Sequence, residues 1–301
     1  MRIVSLLASA TEIVCALGAG EMLVGRSHEC DNPDWVRALP PCSEPAFDVT
    51  GSSASIDAEV RRRIAAGEEL YRIDAERIAE LQPDLIIAQT HCDVCAVTPE
   101  GVEKAGSAAP VLRLSAFTVQ DIFESIGQVA ARLGLSDRSA QVIQAERGRL
   151  NAVQQKTSGL RRPSVAMIEW TDPLFAMGNW GPELVETAGG DLKIGKKGAY
   201  STTLQPEILT AANPEFLIIA PCGFPLARAM EERPILGKNP WWRGLRAVRE
   251  GKVAFADGNR FFNRSGMTIA HTAEIIAEIL HGVTFGEPAQ GVYYRWIGDA
   301  A

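Results

Sequence analysis

The residues of this sequence that could do chemistry collect in a few short segments. The run Gln89-Thr90-His91-Cys92-Asp93-Val94-Cys95 spaces two cysteines so that both thiolates can reach one ion, and Ser27-His28-Glu29-Cys30-Asp31 adds a histidine, a thiol and two carboxylates. Together with Cys222, the set Cys30, Cys92 and Cys95 has the ligand types for zinc, iron or an iron–sulfur cluster, with His28 or His91 as further donors. A single Cys-x-x-Cys is a weaker signal than a paired one, and a redox role would need it to open a helix, which Pro99 leaves open. Cys15, inside a helical pattern, and Cys42, beside Pro40-Pro41, read as small core side chains.

A second chemistry is aromatic. Trp170, Phe175, Trp180, Phe224, Phe261 and Phe262, with Arg264 close by, offer flat apolar faces and a cation to a large ligand that must leave water. Covering roughly 200 Å² of such surface is worth about 5 kcal/mol before ordering costs. Loop anchoring is the plainer use of such rings, and it is the reading of Trp241-Trp242. Catalysis is not expected: the chain has no GxSxG, GxxxxGK[ST], HExxH or post-strand GxGxxG motif. Glu29 with Asp31, and Glu169 with Asp172, could act as acid–base pairs, but carboxylates beside binding loops are common; a thiol- or metal-dependent activity through the cysteines is the enzymatic alternative.

The elements that must position these segments follow from composition and repetition. With 301 residues, 46% hydrophobic, 22% charged and a formal charge of −7, the chain has ordinary globular composition. It carries no basic run that would hold nucleic acid or an anionic membrane surface, and no apolar stretch long enough to span a bilayer. The apolar run Ile3–Ala8 is shorter than a secretory core and is followed by Thr11-Glu12, so a cytoplasmic location is expected, or a periplasmic one if a leader has been removed.

An internal repeat organises the chain. Glu76-Arg-Ile-Ala-Glu-Leu-Gln-Pro83-Asp-Leu-Ile-Ile-Ala88 has a counterpart in Glu207-Ile-Leu-Thr-Ala-Ala-Asn-Pro214-Glu-Phe-Leu-Ile-Ile-Ala220. Each reads as an amphipathic helix, a proline stop and a buried strand. Ile3–Leu7 with Glu12–Gly18 is echoed by Val165–Ile168 with Glu183–Gly189, and Pro110–Ser115 by Lys252–Asp257. The repeating unit is a whole lobe of alternating strands and helices, which predicts an α/β fold of two similar lobes with parallel sheets flanked by helices. The expected division is a first lobe over 1–117, a connecting helical segment over 118–160, a second lobe over 161–285, and a tail over 286–301 packed on a lobe. In the connector, Val119, Ile122, Ile126, Val129 and Leu133 keep helical spacing, and Gly134-Leu-Ser-Asp137 marks either a kink or the start of a second helix.

The opening Ser5-Leu-Leu-Ala-Ser-Ala-Thr-Glu12, the Val24-Gly25 pair, the Leu81-Gln-Pro-Asp-Leu-Ile-Ile87 unit, Asn179 through Gly190 and Asp257 through Gly266 resemble the helical-backbone class of substrate-binding proteins of ABC importers, over about residues 2–282. Within that class the chain looks most like the cobalamin receptors. The resemblance implies non-catalytic binding of a cobalamin-like corrinoid or related metal chelate in a cleft between the lobes, with an ABC permease as partner if the protein is exported. Parallel sheets present the loops after their strand carboxyl ends to such a ligand. On that basis the ligand-binding candidates are His28, Glu29, Asp31, Gln89, His91, Trp170, Phe175, Trp180, Phe224, Phe261, Phe262 and Arg264. Glu76 and Glu207 match the acidic residues that dock such receptors on their permease, although a place in the first turn of a helix already suits a carboxylate. The alternative is a cytoplasmic protein that holds zinc, iron or an iron–sulfur cluster through the loop thiols.

Overall fold

The structure, a computed structural model, describes residues 1–90, 94 and 96–299. His91, Cys92 and Cys95 lie outside the described residues. Two compact units divide the chain: Met1–Ala116 with Gln120–Gln144, and Phe117–Val119 with Ala145–Ala301.

The first unit holds β1 (Ile3–Ser5), α1 (Ala8–Ala16), β2 (Leu23–Arg26), β3 (Ser43–Pro45), α2 (Ser53–Ala66), β4 (Tyr71–Ile73), α3 (Ala75–Leu81), β5 (Leu85–Gln89), α4 (Pro99–Lys104) and β6 (Val111–Leu114). Strands β2-β1-β5-β6 form one parallel sheet, and β3 pairs antiparallel with β4 in a separate ribbon. Every residue of β1 and β5 is buried, as expected for parallel strands covered on both faces. Val4, Leu6 and Ile86 meet Ile78 of α3 and Val102 of α4 in the core. Local chemistry sets the helix ends. The Asp74 carboxylate accepts from the Arg77 amide at the start of α3, and Gly67 ends α2 at φ 67°.

The connector is two consecutive helices, α5 (Val119–Leu133) and α6 (Ser136–Thr157), and the boundary between the units falls inside α6. The second unit continues with β7 (Ser164–Thr171), β8 (Leu174–Ala176), α7 (Gly181–Thr187), β9 (Asp191–Ile194), β10 (Thr202–Thr203), α8 (Pro206–Ala212), β11 (Phe216–Ile219), α9 (Leu226–Met230), α10 (Arg233–Gly237), α11 (Arg246–Arg249), β12 (Val253–Ala256), α12 (Ile269–His281) and β13 (Tyr294–Trp296). Its sheet runs β10-β8-β7-β11-β12-β13, with β9 also on β7. The β9-β7-β11-β12 portion is parallel; β8 and β13 run against their neighbours. The residues after 286, expected only to lie on a lobe surface, thus contribute an edge strand.

The repeat recurs in backbone detail. Gln82 and Asn213 end α3 and α8 in the left-handed region, at φ 44° and 38°. The amide of the next repeated acid then reaches the start of the first strand of its own unit: Asp84 N to Arg2 O at 2.8 Å, Glu215 N to Ser164 O at 3.0 Å. Proline after the left-handed cap prevents continuation of the helix and turns the chain into a central strand.

Candidate ligand-binding site

In each parallel sheet, the loops after the strand carboxyl ends share one edge. In the first unit the loop after β2 folds back on itself. His28 is held through Nδ1, 3.1 Å from Ser43 Oγ, while Nε2 lies 3.4 Å from Glu29 Oε1 without a hydrogen bond, and its ring lies 5.3 Å from that of Tyr71. The Tyr71 hydroxyl in turn donates to the Val94 carbonyl at 2.6 Å. The Glu29 amide donates to Ser27 Oγ, and the Asp31 carboxylate sits 3.5 Å from the Arg37 guanidinium. Gln89 ends β5 and is buried.

Cys30 faces inward. Its sulfur accepts from the Thr11 hydroxyl at 3.0 Å, lies 3.4 Å from Ser27 Oγ and donates to the Ser5 carbonyl at 3.6 Å. These contacts pack the thiol as a polar side chain joining β1, α1 and the β2 loop. Among the described residues no group of three or more His, Cys, Asp or Glu side chains is arranged to hold an ion. Burial pushes the thiols of Cys15 and Cys42 up to about 11, so neither is a thiolate near neutral pH.

The second unit gathers the aromatic candidates. Trp170 near the end of β7 is the cross-strand partner of Phe175 on β8, and both rings are partly exposed. The Trp170 ring lies 5.2 Å from that of Phe224 in the loop after β11, and the Arg228 guanidinium sits 4.5 Å over Phe224. Arg228 is fixed from below. Its Nη1 lies 2.8 Å from Glu231 and 3.5 Å from Glu232, a carboxylate with no solvent exposure that also accepts from the Thr171 hydroxyl. Trp170 and Phe175 are therefore partly exposed rings of one cluster whose buried member, Phe224, packs between Trp170 and the Arg228 guanidinium on a hydrogen-bonded base.

The loop after β12 starts with Asp257, whose carboxylate accepts from the amides of Asn259 at 3.0 Å and Arg260 at 2.8 Å, and makes one π-helical turn, Gly258–Phe262. The Asn259 amide donates to the Phe224 carbonyl at 3.1 Å, joining this loop to the previous one. Phe261 and Phe262 are buried, and Phe261 packs edge-on against His271 and Tyr293, so its ring supports the turn from within. Arg264 is buried and donates through Nε to the Asn259 carbonyl at 2.7 Å, again within the loop. Trp180 is buried at the start of α7. Arg260 is exposed at the tip of the turn. Cys222 is partly buried after β11, with its amide donating to the Glu169 carbonyl at 2.9 Å.

Two residues escaped the sequence reading. Arg228 was findable, because Phe224, Arg228 and Glu232 follow at successive four-residue intervals, the spacing of neighbours on a helical path. Tyr71 gave no such signal; it reaches His28 only because β3 and β4 pair across a long loop. Glu76 and Glu207 occupy the second position of α3 and α8, and both are exposed.

Paired α/β units of this kind, with binding loops on the carboxyl edges of parallel sheets and two consecutive helices linking them, define the class of two-lobed binding proteins. The family described as "Periplasmic binding protein" matches residues 3–259, and the chain belongs to it. It is accordingly a binding protein, with no catalytic residue assigned. The family's description gives no support to the cytoplasmic location expected from the opening residues; among the described residues no helix is long and apolar enough to cross a membrane.

Solved structures share the fold. A periplasmic heme binding protein from Pseudomonas aeruginosa is similar with a TM-score of 0.73 and 19% identity, over 98% of this chain and 97% of that one. An ABC transporter substrate-binding protein from Listeria monocytogenes EGD-e gives 0.72 and 18%, over 94% and 99%. The periplasmic vitamin B12 binding protein of Vibrio cholerae gives 0.66 and 19%, over 93% and 96%. No curated protein matches the chain.

Proposed function

We propose that this protein is the substrate-binding component of an ABC importer and that its ligand is a metal-chelating tetrapyrrole, a cobalamin-like corrinoid or a heme. The observation that carries this reading is the pair of partly exposed rings Trp170 and Phe175, backed by the buried Phe224 and the Arg228 guanidinium, on the loop edge of a binding-protein fold. Flat rings cover the face of a large planar ligand, and a guanidinium seated on one of them meets the polar groups at its periphery. Fold neighbours that bind heme and vitamin B12 support the same ligand class. Binding needs no chemical step. The protein takes the ligand in the periplasm and hands it to a permease, with the exposed carboxylates of Glu76 and Glu207 as the docking points.

Hemin and cyanocobalamin absorb visible light and serve as direct probes. Saturable, stoichiometric binding of either, weakened by Trp170→Ala, is the expected result; absence of binding by both refutes the tetrapyrrole reading while leaving the family membership intact.

A further inference from the structure

The chain after α12 lies beyond residues 3–259, the part matched by the family, and carries no binding motif of its own. We propose that residues 289–296 are a brace that sets the conformation of the turn Gly258–Phe262, with Tyr293 and His271 as its positioning residues.

Three sets of contacts carry the inference. The first fastens the brace to α12. The Glu278 carboxylate, almost fully buried, accepts from the amides of Ala289 at 2.9 Å and Gln290 at 3.0 Å and lies 3.3 Å from the Tyr294 hydroxyl. One acid thus satisfies two backbone donors and a phenol, and this fixes where the tail begins to run. Gly291, at φ 82°, reverses the chain, with its amide donating to the Tyr294 carbonyl at 2.7 Å.

The second set carries the brace to the root of the turn. β13 pairs antiparallel with β12 through Ala254 with Trp296, Phe255 with Arg295 and Ala256 with Tyr294. Past the last pair, the Asp257 amide donates to the Tyr293 carbonyl at 3.0 Å. Asp257 is the residue whose carboxylate caps the amides of Asn259 and Arg260, so the brace ends on the group that starts the turn.

The third set is aromatic. The rings of Phe261, His271 and Tyr293 meet edge-on in a closed triangle, with centroids 4.9, 4.7 and 4.9 Å apart. Phe261 comes from the turn, His271 from α12 and Tyr293 from the brace. Edge-to-face geometry is directional, so each ring restricts the others. Without the Tyr293 ring, Phe261 keeps only His271 of these two neighbours. The consequence for ligand affinity rests on the function proposed above; the consequence for the turn does not.

The test is amide hydrogen exchange on the full-length protein carrying Tyr293→Ala. The amides of Asn259 and Arg260 are expected to exchange about ten-fold faster, while those of β11 keep their rates. Tyr293→Phe, which retains the ring, should restore the slow rates. Unchanged exchange at Asn259 and Arg260 in folded Tyr293→Ala overturns the proposal, as does equal acceleration throughout the second unit. If that variant does not fold, His271→Ala, which removes the other ring facing Phe261, is read by the same criteria. Titration with hemin and cyanocobalamin separates the two inferences: faster exchange with unaltered affinity leaves the brace standing and removes the turn from the ligand site.

Discussion

Gly258→Ala isolates the packing on which the second unit's loop edge depends. An alanine Cβ at this position would stand 2.1 Å from the Pro221 carbonyl oxygen and 2.7 Å from the carbonyl carbon and oxygen of Ala220, where ordinary contact begins at 3.4 Å. Relief requires a relative displacement of at least about 1.3 Å, and every neighbour concerned is backbone. The Ala220 side cannot yield cheaply, because its amide donates to Ile168 O and that of Cys222 to Glu169 O, both at 2.9 Å. The turn must therefore move. Doing so strains the bonds from Asn263 Nδ2 to the carbonyls of Ala220 and Gly258, both 3.0 Å, and from the Asn259 amide to Phe224 O at 3.1 Å. At about 1 kcal/mol for each bond lost, the substitution costs about 2–4 kcal/mol. With a urea dependence of about 3 kcal/mol per molar, the unfolding midpoint should fall by roughly 1 M. Gly148→Ala, in the interior of α6 with nothing within 4 Å of the added carbon, is the control and should raise stability by about 0.5–1 kcal/mol. A Gly258→Ala midpoint within error of the parent refutes the close approach and, with it, the described joining of the two loops.

Three further outcomes follow from the same contacts. Trp170→Ala removes the partly exposed ring beside Phe224 and should weaken hemin or cyanocobalamin binding by about ten-fold or more, the equivalent of some 50 Å² of apolar cover, as read by absorbance titration; an unchanged affinity would place the ligand elsewhere. Burial lowers His271 and His281 below the ordinary 6.5, so the folded state binds fewer protons than the unfolded one there. Their contribution to stability is full above about pH 6.5 and is lost as pH falls below it, while Glu146, raised by burial, acts in the opposite sense. Urea midpoints should therefore drop between pH 7.5 and 5.5, with the drop reduced in a His271→Gln, His281→Gln variant; an equal drop in that variant contradicts the assignment. Cys92→Ser with Cys95→Ser should leave tetrapyrrole affinity unchanged, and a stoichiometric loss of bound zinc or iron in that variant would revive the thiolate alternative.

The parts of this molecule that were legible in its sequence are those governed by local rules. A proline after a short amphipathic helix and an apolar run after the proline recur 131 residues apart, and the left-handed Gln82 and Asn213 show that the same stop operates in both places. Gly134 and Ser136 separate α5 from α6 where the sequence offered a kink or a second helix. Strands of two or three residues, such as β3, β8 and β10, were invisible because so few residues establish no period. β13 was missed because its pairing partner, β12, lies 38 residues or more away, across the whole of α12.

At the site, residue type was a better guide than residue direction. Trp170 and Phe175 stay partly exposed, whereas Phe224 is buried beside Trp170, and Phe261 and Arg264 turn inward because Asp257 winds their loop into a helical turn. Cys30 sits in a run of charged residues, yet Thr11 and Ser5 capture its sulfur. Spacing along a loop does not tell which side chain its own backbone will bury.

The most direct test of the central claim is a visible-absorbance titration of the purified protein with hemin and with cyanocobalamin, accompanied by elemental analysis of the unliganded protein. The account predicts a metal-free protein that binds one of the two saturably at one stoichiometric equivalent or a small multiple of it. A protein that binds neither and carries stoichiometric zinc or iron, lost when Cys92 and Cys95 are replaced, would contradict it.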